Sequence, residues 1–207
     1  MSGRRDTAGP RPSPGQTVGP FHGFALPWPG GEHLVPPGSP GSMPLTGRVL
    51  DGAGAGVTDA LVEIWQADTA GRVPRRAGSL HRDGHTFTGF GRAPTDGTGR
   101  FSFTTVRPGA VGGGLPFIAV VVLARGLLDR LVTRAYLPAP EAALAADPFL
   151  ATLGAGRRAT LVAVEDGPGL RFDVRLQGEG ETVFLDFAGH PADRGDGGDR
   201  GDLGAGA

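Results

Sequence analysis

Arg125, in the run VVVLARGLL, is the side chain whose type and position most invite chemistry. It follows a strongly apolar stretch and comes just before Gly126. A guanidinium there must find an anion or a carbonyl, because a half-buried unpaired charge is costly. Two partners suit its planar fork: an internal carboxylate, or a carboxylate presented at a pocket or subunit edge. A second unusual stretch is Gln16-Thr17-Val18-Gly19-Pro20-Phe21-His22, polar, then Gly-Pro, then aromatic, placed ahead of the first strand. It reads either as an arm packed on its own domain, or as one lying across a partner with Thr17 and the Gly19-Pro20 backbone facing a ligand.

The other reactive side chains point away from catalysis by this chain. His81 and His85 in LHRDGH have H-x-x-x-H spacing, but Asp83-Gly84 breaks any helix, and a solvated loop is the expectation. Tyr136 is the one tyrosine and cysteine is absent, so a site built on several phenolates, a thiolate site and a disulfide are all excluded. There is no G-x-S-x-G elbow, and no glycine run has a phosphate-cradling form in a strand–helix setting. Glu63 and Asp68 resemble paired carboxylates only in sequence; on a strand face and at its end they are expected to be solvated or salt-bridged.

Composition agrees. The net charge of −1 at 207 residues suggests neither nucleic acid nor a solvating acidic tail as the theme. All 20 basic side chains are arginine, which reads as a genome bias. No apolar run is long enough to span a bilayer and the N-terminus lacks an apolar leader segment, so a cytoplasmic, membrane-free protein is expected. Residues 1–15 read as a flexible arm, residues 16–188 as one domain, and residues 189–207 as a disordered tail. The two Arg-Gly-Asp triplets in that tail read as low-complexity repetition.

The elements that must position Arg125 and the arm are short strands. Residues 45–51, 59–67, 100–106, 116–123, 130–137, 170–176 and 182–187 carry strand patterns. In residues 59–67, Leu61, Glu63 and Trp65 alternate with Val62, Ile64 and Gln66. PFIAVVVL is continuously apolar and predicts a strand buried on both faces. Asp96-Gly97 supplies a turn before RFSFTTV. Helix is confined to residues 140–153, split by Pro148. With 38 glycines and 19 prolines, this predicts an all-β sandwich with long loops and one or two short helical segments.

QTVGPF, GRVLDGAGAGVTDALVEIWQADTAGR, FTGFGRAPTDGTGRFSFTTVRPG, ARGLLDRLVTRAYL and RFDVRLQGEGETVFLDF together resemble the intradiol ring-cleaving dioxygenases, over about residues 12 to 188. Within them the chain is most similar to the metal-free α subunits of the enzymes that cleave protocatechuate. The resemblance implies a β-sandwich that assembles with β subunits of like fold into (αβ)n hetero-oligomers. It implies that Fe(III) is held by the partner β subunit through two tyrosines and two histidines, with no cofactor bound by this chain. The ring of protocatechuate opens between its hydroxyls with dioxygen, giving 3-carboxy-cis,cis-muconate in the β-ketoadipate pathway. Carried onto this sequence, the four ligand positions fall on Val73, Val111, Phe117 and Ala119, none of which can bind Fe(III). The arm's Thr17, Gly19 and Pro20 and the carboxylate-side Arg125 are implied to line a small aromatic substrate's pocket shared with the partner; Phe21 stands where a tyrosine often does. The alternative class is a metal-free sandwich that binds or carries a ligand without a catalytic partner.

Overall fold

The computed structural model describes residues 16–75 and 82–186. The expected flexible arm of residues 1–15, the tail with its Arg-Gly-Asp triplets, His81 and Phe187 lie outside the described residues. Two sheets pack face to face. In the first, β4 (Arg100–Val106), β1 (Ser42–Leu50), β8 (Gly169–Arg171) and β7 (Val164–Asp166) lie in that order, and β9 (Val174–Arg175) also pairs with β1. In the second the order is β3 (Phe90–Pro94), β2 (Leu61–Gln66), β5 (Phe117–Leu123), β6 (Leu131–Tyr136).

Period-two alternation decides which side chains meet between the sheets. Val62 and Ile64 of β2 and Ile118, Val120 and Val122 of β5 face Leu45 and Val49 of β1, Phe101 and Phe103 of β4, and Leu170, Phe172 and Val174. These are all essentially buried. Gln66 is one of the few polar side chains on that inner face, with Thr105 and Thr133. Its buried amide donates to the Val106 carbonyl at 2.9 Å and to the Ala67 carbonyl at 3.2 Å, and accepts from the Thr105 hydroxyl at 2.7 Å. It ties the end of β2 in one sheet to the end of β4 in the other.

The expectation of an all-β sandwich holds, with departures in detail. Residues 170–176 do not form one strand. They split into β8 and β9 because Asp173 takes the Arg48 amide with its carboxylate, at 3.0 Å, in place of a ladder bond. Residues 182–186 form no strand. The Thr182 amide bonds the Arg175 carbonyl, the Val183 amide the Thr160 hydroxyl and the Leu185 amide the Val132 carbonyl. With each bond going to a different element, the segment is a strap and not a ladder. β5 is fully buried on its inner face and only in part on its outer face, where Val121 is buried but Phe117, Ala119 and Leu123 are partly covered. β3 was not expected, since FGRAP carries both breakers of the strand pattern, and β7 is three exposed residues.

Helix is short throughout. Residues 140–153 give α2 (Glu141–Ala146) and a 3-10 turn, Leu150–Thr152, separated at Pro148 as expected. Two further short helices, α1 (His22–Ala25) and α3 (Ala155–Ala159), carry no apolar periodicity that would reveal them. No helix among the described residues is long and apolar enough to cross a membrane. The Asp96 turn forms as read: its carboxylate accepts the Thr98 hydroxyl at 2.7 Å, the Arg100 amide at 3.0 Å and the Thr98 amide at 2.7 Å, and these bonds, the hydroxyl's first, lower its pKa.

Two measurements check this account. Gln66→Ala strands the Thr105 hydroxyl and the Val106 carbonyl and leaves a void, so urea unfolding should show a loss of about 2–4 kcal/mol. A depressed carboxylate stabilises the fold above its unfolded value of about 3.9 and loses that contribution as pH falls through the lower folded value. Asp96→Asn should therefore lower stability at neutral pH and flatten the fall in stability below about pH 4, read as Tm against pH.

Candidate functional site

β2 and β5 run antiparallel with Leu61 opposite Leu123 and Trp65 opposite Ala119. Continued two residues outward, that register sets Asp59 against Arg125. Arg125 Nε donates to the Asp59 carboxylate in an ion pair. The Arg125 side chain is nevertheless 62% exposed, and among the described residues its terminal nitrogens have no partner. Beside it the Gly126 amide donates to Thr17 Oγ1 at 2.9 Å. The buried His22 ring lies between two carbonyl oxygens, with Nδ1 3.0 Å from Gly19 and Nε2 2.9 Å from Asp59. The structure thus brings Arg125, Thr17 and Gly19 to one corner, with Pro20 exposed at the adjoining turn. Sequence reading missed Asp59 and His22. The β2–β5 register was the signal for Asp59; nothing local marked His22.

Toward the other end of the same two strands lie Phe117 and Ala119 on β5 and, in the loops after β2 and β4, Val73 and Val111. Gln66 leads into the Asp68 turn, where the carboxylate accepts the Ala70 and Arg72 amides at 2.9 Å and Arg72 Nε at 2.8 Å. The Arg72 amide bond is the largest of the effects that lower the Asp68 pKa. The Asp68 carbonyl also accepts the Gly109 amide at 2.8 Å. Gly71, at φ 78°, lets its loop lie directly on the Ala110 carbonyl, where a Cβ would collide. The loops bearing Val73 and Val111 therefore touch, and both valines are exposed. Ala119 lies between Trp65 and Arg134 across the sheet. Phe117 packs on Tyr136, with ring centroids 5.4 Å apart. Burial pushes the Tyr136 phenol up.

From Ala119 to Arg125 is six residues of extended chain, roughly 20 Å at about 3.3 Å per residue. The corner with Arg125 and the corner with Val73 are thus separate places in this chain. No side chain at the four positions offers a donor atom, so the residues present do not fit Fe(III). Among the described residues no three His, Asp or Glu side chains gather as a metal would need.

The remaining candidates are structural. Glu63 accepts Arg92 Nε at 2.8 Å and Asp68 pairs with Arg72, so they are salt-bridged and not a carboxylate pair. His85 lies in an exposed loop, next to Asp83, whose pKa is lowered first by the Thr86 hydroxyl and then by the Thr86 and His85 amides. His33 Nδ1 lies 3.2 Å from the Thr104 hydroxyl.

Known proteins resemble this chain in sequence and fold. The Dioxygenase_C family model, described as dioxygenase, matches residues 32–116. The protocatechuate 3,4-dioxygenase alpha chain of Burkholderia cepacia is 40% identical over 201 residues, which span 84% of this chain and 96% of the relative. The chain belongs to the intradiol dioxygenase family, among its alpha chains. The beta chain from the same organism is 37% identical over 159 residues, covering 67% of this chain and 65% of the relative. Among solved structures, the dioxygenase domain of a dioxygenase–carbohydrate-binding fusion from Streptomyces sp. SirexAA-E superposes with a TM-score of 0.53. It is 27% identical and covers 71% of this chain and 87% of that one. Family membership and the sandwich expected from the sequence agree.

The arm's tether can be measured. Thr17→Val removes the acceptor of the Gly126 amide, a bond worth about 1 kcal/mol. Hydrogen exchange at Gly126 should then quicken by roughly fivefold, with core amides such as that of Val120 unchanged.

Proposed function

We propose that this chain is the non-catalytic α subunit of a protocatechuate 3,4-dioxygenase. The observation that carries this reading is its 40% identity to an alpha chain over nearly that relative's whole length. Fe(III) belongs to a β partner of like fold, since valine, phenylalanine and alanine stand where this chain would need phenolates and imidazoles. The partner opens the ring of protocatechuate with dioxygen to give 3-carboxy-cis,cis-muconate, a step of aromatic catabolism in the cytoplasm. This chain contributes a wall of the pocket and assembles with its partner as (αβ)n.

Arg125 is the residue proposed to meet substrate. Asp59 holds Nε and leaves the terminal nitrogens outward, so a ring carboxylate can approach the free edge of the fork without breaking the existing pair. The Thr17–Gly126 bond and the His22 contacts keep the Gly19-Pro20 turn beside that edge. Pre-set geometry of this kind reduces the ordering cost of binding.

Co-purification with a candidate β chain and iron analysis test the assignment. The chain alone should be colourless and free of iron, while the mixed complex should be red-brown and active on protocatechuate. Stoichiometric iron in the isolated chain would sink the proposal. In the complex, Arg125→Ala should weaken protocatechuate binding by about 1.5–3 kcal/mol at most, solvent screening lowering the value for so exposed a group. Catechol, which lacks the carboxylate, should be little affected; equal losses would leave Arg125 with its internal ion pair as its whole role.

A further inference from the structure

Arg134 of β6 raises a question that the α-subunit reading does not answer. Phe90, Trp65, Ala119 and Arg134 form one row across the outer face of the second sheet, each opposite the next by register. The Arg134 guanidinium lies 4.5 Å from the centre of the Phe117 ring and 5.0 Å from that of Phe149. It donates to the Tyr136 hydroxyl at 3.1 Å, which in turn lies 3.5 Å from the buried Asp147 carboxylate. Asp147 is otherwise occupied by the Leu115, Phe149 and Leu150 amides.

A cation therefore stands beside two of the four positions that have lost a metal ligand. Its setting is aromatic, and among the described residues it makes no ion pair. Of five N–H donors on the fork, one has a protein acceptor. Two π faces and a neutral hydroxyl favour a guanidinium but do not neutralise it. On the other side of Ala119 the Trp65 indole is 44% exposed and tilts onto Phe90 at 4.3 Å between centroids. Between the backbone positions of Trp65 and Arg134 the row holds only Ala119, while the guanidinium leans toward the neighbouring Phe117–Tyr136 pair. Adjacent strands are about 4.8 Å apart, so the two groups spring from points roughly 10 Å apart. An apolar plane at one end and an open cationic fork at the other suit a flat ring carrying one carboxylate.

The geometry points to a second ligand site, formed by Trp65, Ala119 and Arg134, that takes a small aromatic carboxylate. It is separate from the Arg125 corner, about six extended residues away along β5, and it binds without cleaving, since no metal ligand is present there. Arg134 supplies the carboxylate contact and Trp65 the ring contact. Ala119 leaves room for the ring because its side chain is a methyl.

Benzoate, titrated into the full chain with indole fluorescence and ligand-observed NMR as readouts, tests the site. It should bind saturably; benzyl alcohol, which has the ring without the charge, and acetate, which has the charge without the ring, should each bind far more weakly. Arg134→Gln should weaken benzoate by roughly 10- to 100-fold, the range for losing charge-assisted hydrogen bonds. Arg125→Gln should leave its affinity unchanged. If Arg134→Gln loses its folded near-UV signature, Arg134→Lys carries the test, and it should bind measurably more weakly because a point charge replaces the fork. Non-saturable benzoate binding, unchanged affinity in the Arg134 variants, or loss with Arg125→Gln would each overturn the proposal. Failure here leaves the α-subunit reading intact, because that reading is tested by iron content and Arg125.

Discussion

The buried Gln66 amide is the interaction on which the arrangement of this molecule depends. The apolar core presses the two sheets together, but such contacts are non-directional and tolerate sliding. Gln66 does not. It is shut away from water with a donor pair and an acceptor to satisfy, and two of its three partners lie on β4 of the opposite sheet. Any shift of β2 against β4 would strand buried polar groups, a cost that fixes their relative position. The next residues are then committed. Ala67 turns out of the strand, Asp68 closes its turn, and the Asp68 carbonyl receives Gly109 from the loop after β4. Two loops distant in sequence meet because one side chain at the end of β2 is fully bonded.

That meeting makes the two loops independent of the side chains they carry at Val73 and Val111. The backbone bonds that bring the loops of Val73 and Val111 together do not involve either side chain. Exchanging a metal-binding side chain for valine there removes a ligand without removing a support. The cost appears at the surface, where both valines are exposed. Phe117 and Ala119 were absorbed differently, the ring into the cluster of Tyr136 and Phe149, the methyl into the sheet.

Arg125 and Arg134 show two ways of keeping a cation on an apolar sheet. Arg125 sits where β5 ends and meets Asp59 through the strand register, so half its fork is held and half remains outward. Arg134 sits within β6 and is held by π faces and one hydroxyl, with its nearest carboxylate reached only through Tyr136. The first arrangement aims the guanidinium; the second seats it on aromatic rings with most of its donors unbonded among the described residues.

The sequence by itself determined the class of fold and the inventory of side chains from which any metal set would have to be built. Alternating and continuous apolar runs with glycine turns specify strands two residues at a time, a local property readable without coordinates. One tyrosine and no cysteine is an inventory, equally readable. The strand at 100–106 and the split helical stretch at 140–153 came through intact, because turn residues and Pro148 act on their immediate neighbours. Only the tertiary structure decided what depends on pairing. It broke residues 170–176 at Asp173, whose carboxylate replaces a ladder bond to β1. It made residues 182–186 a strap, since its hydrogen-bond partners lie on three other elements. It gave Arg125 an internal partner 66 residues away in sequence, where the residues alone had allowed either an internal carboxylate or an outside one. Arg134 was invisible in the chain as written, for an arginine on an alternating strand looks like any solvated residue. Its aromatic surroundings and its open fork exist only once β5, β6 and the turn at Phe149 have come together.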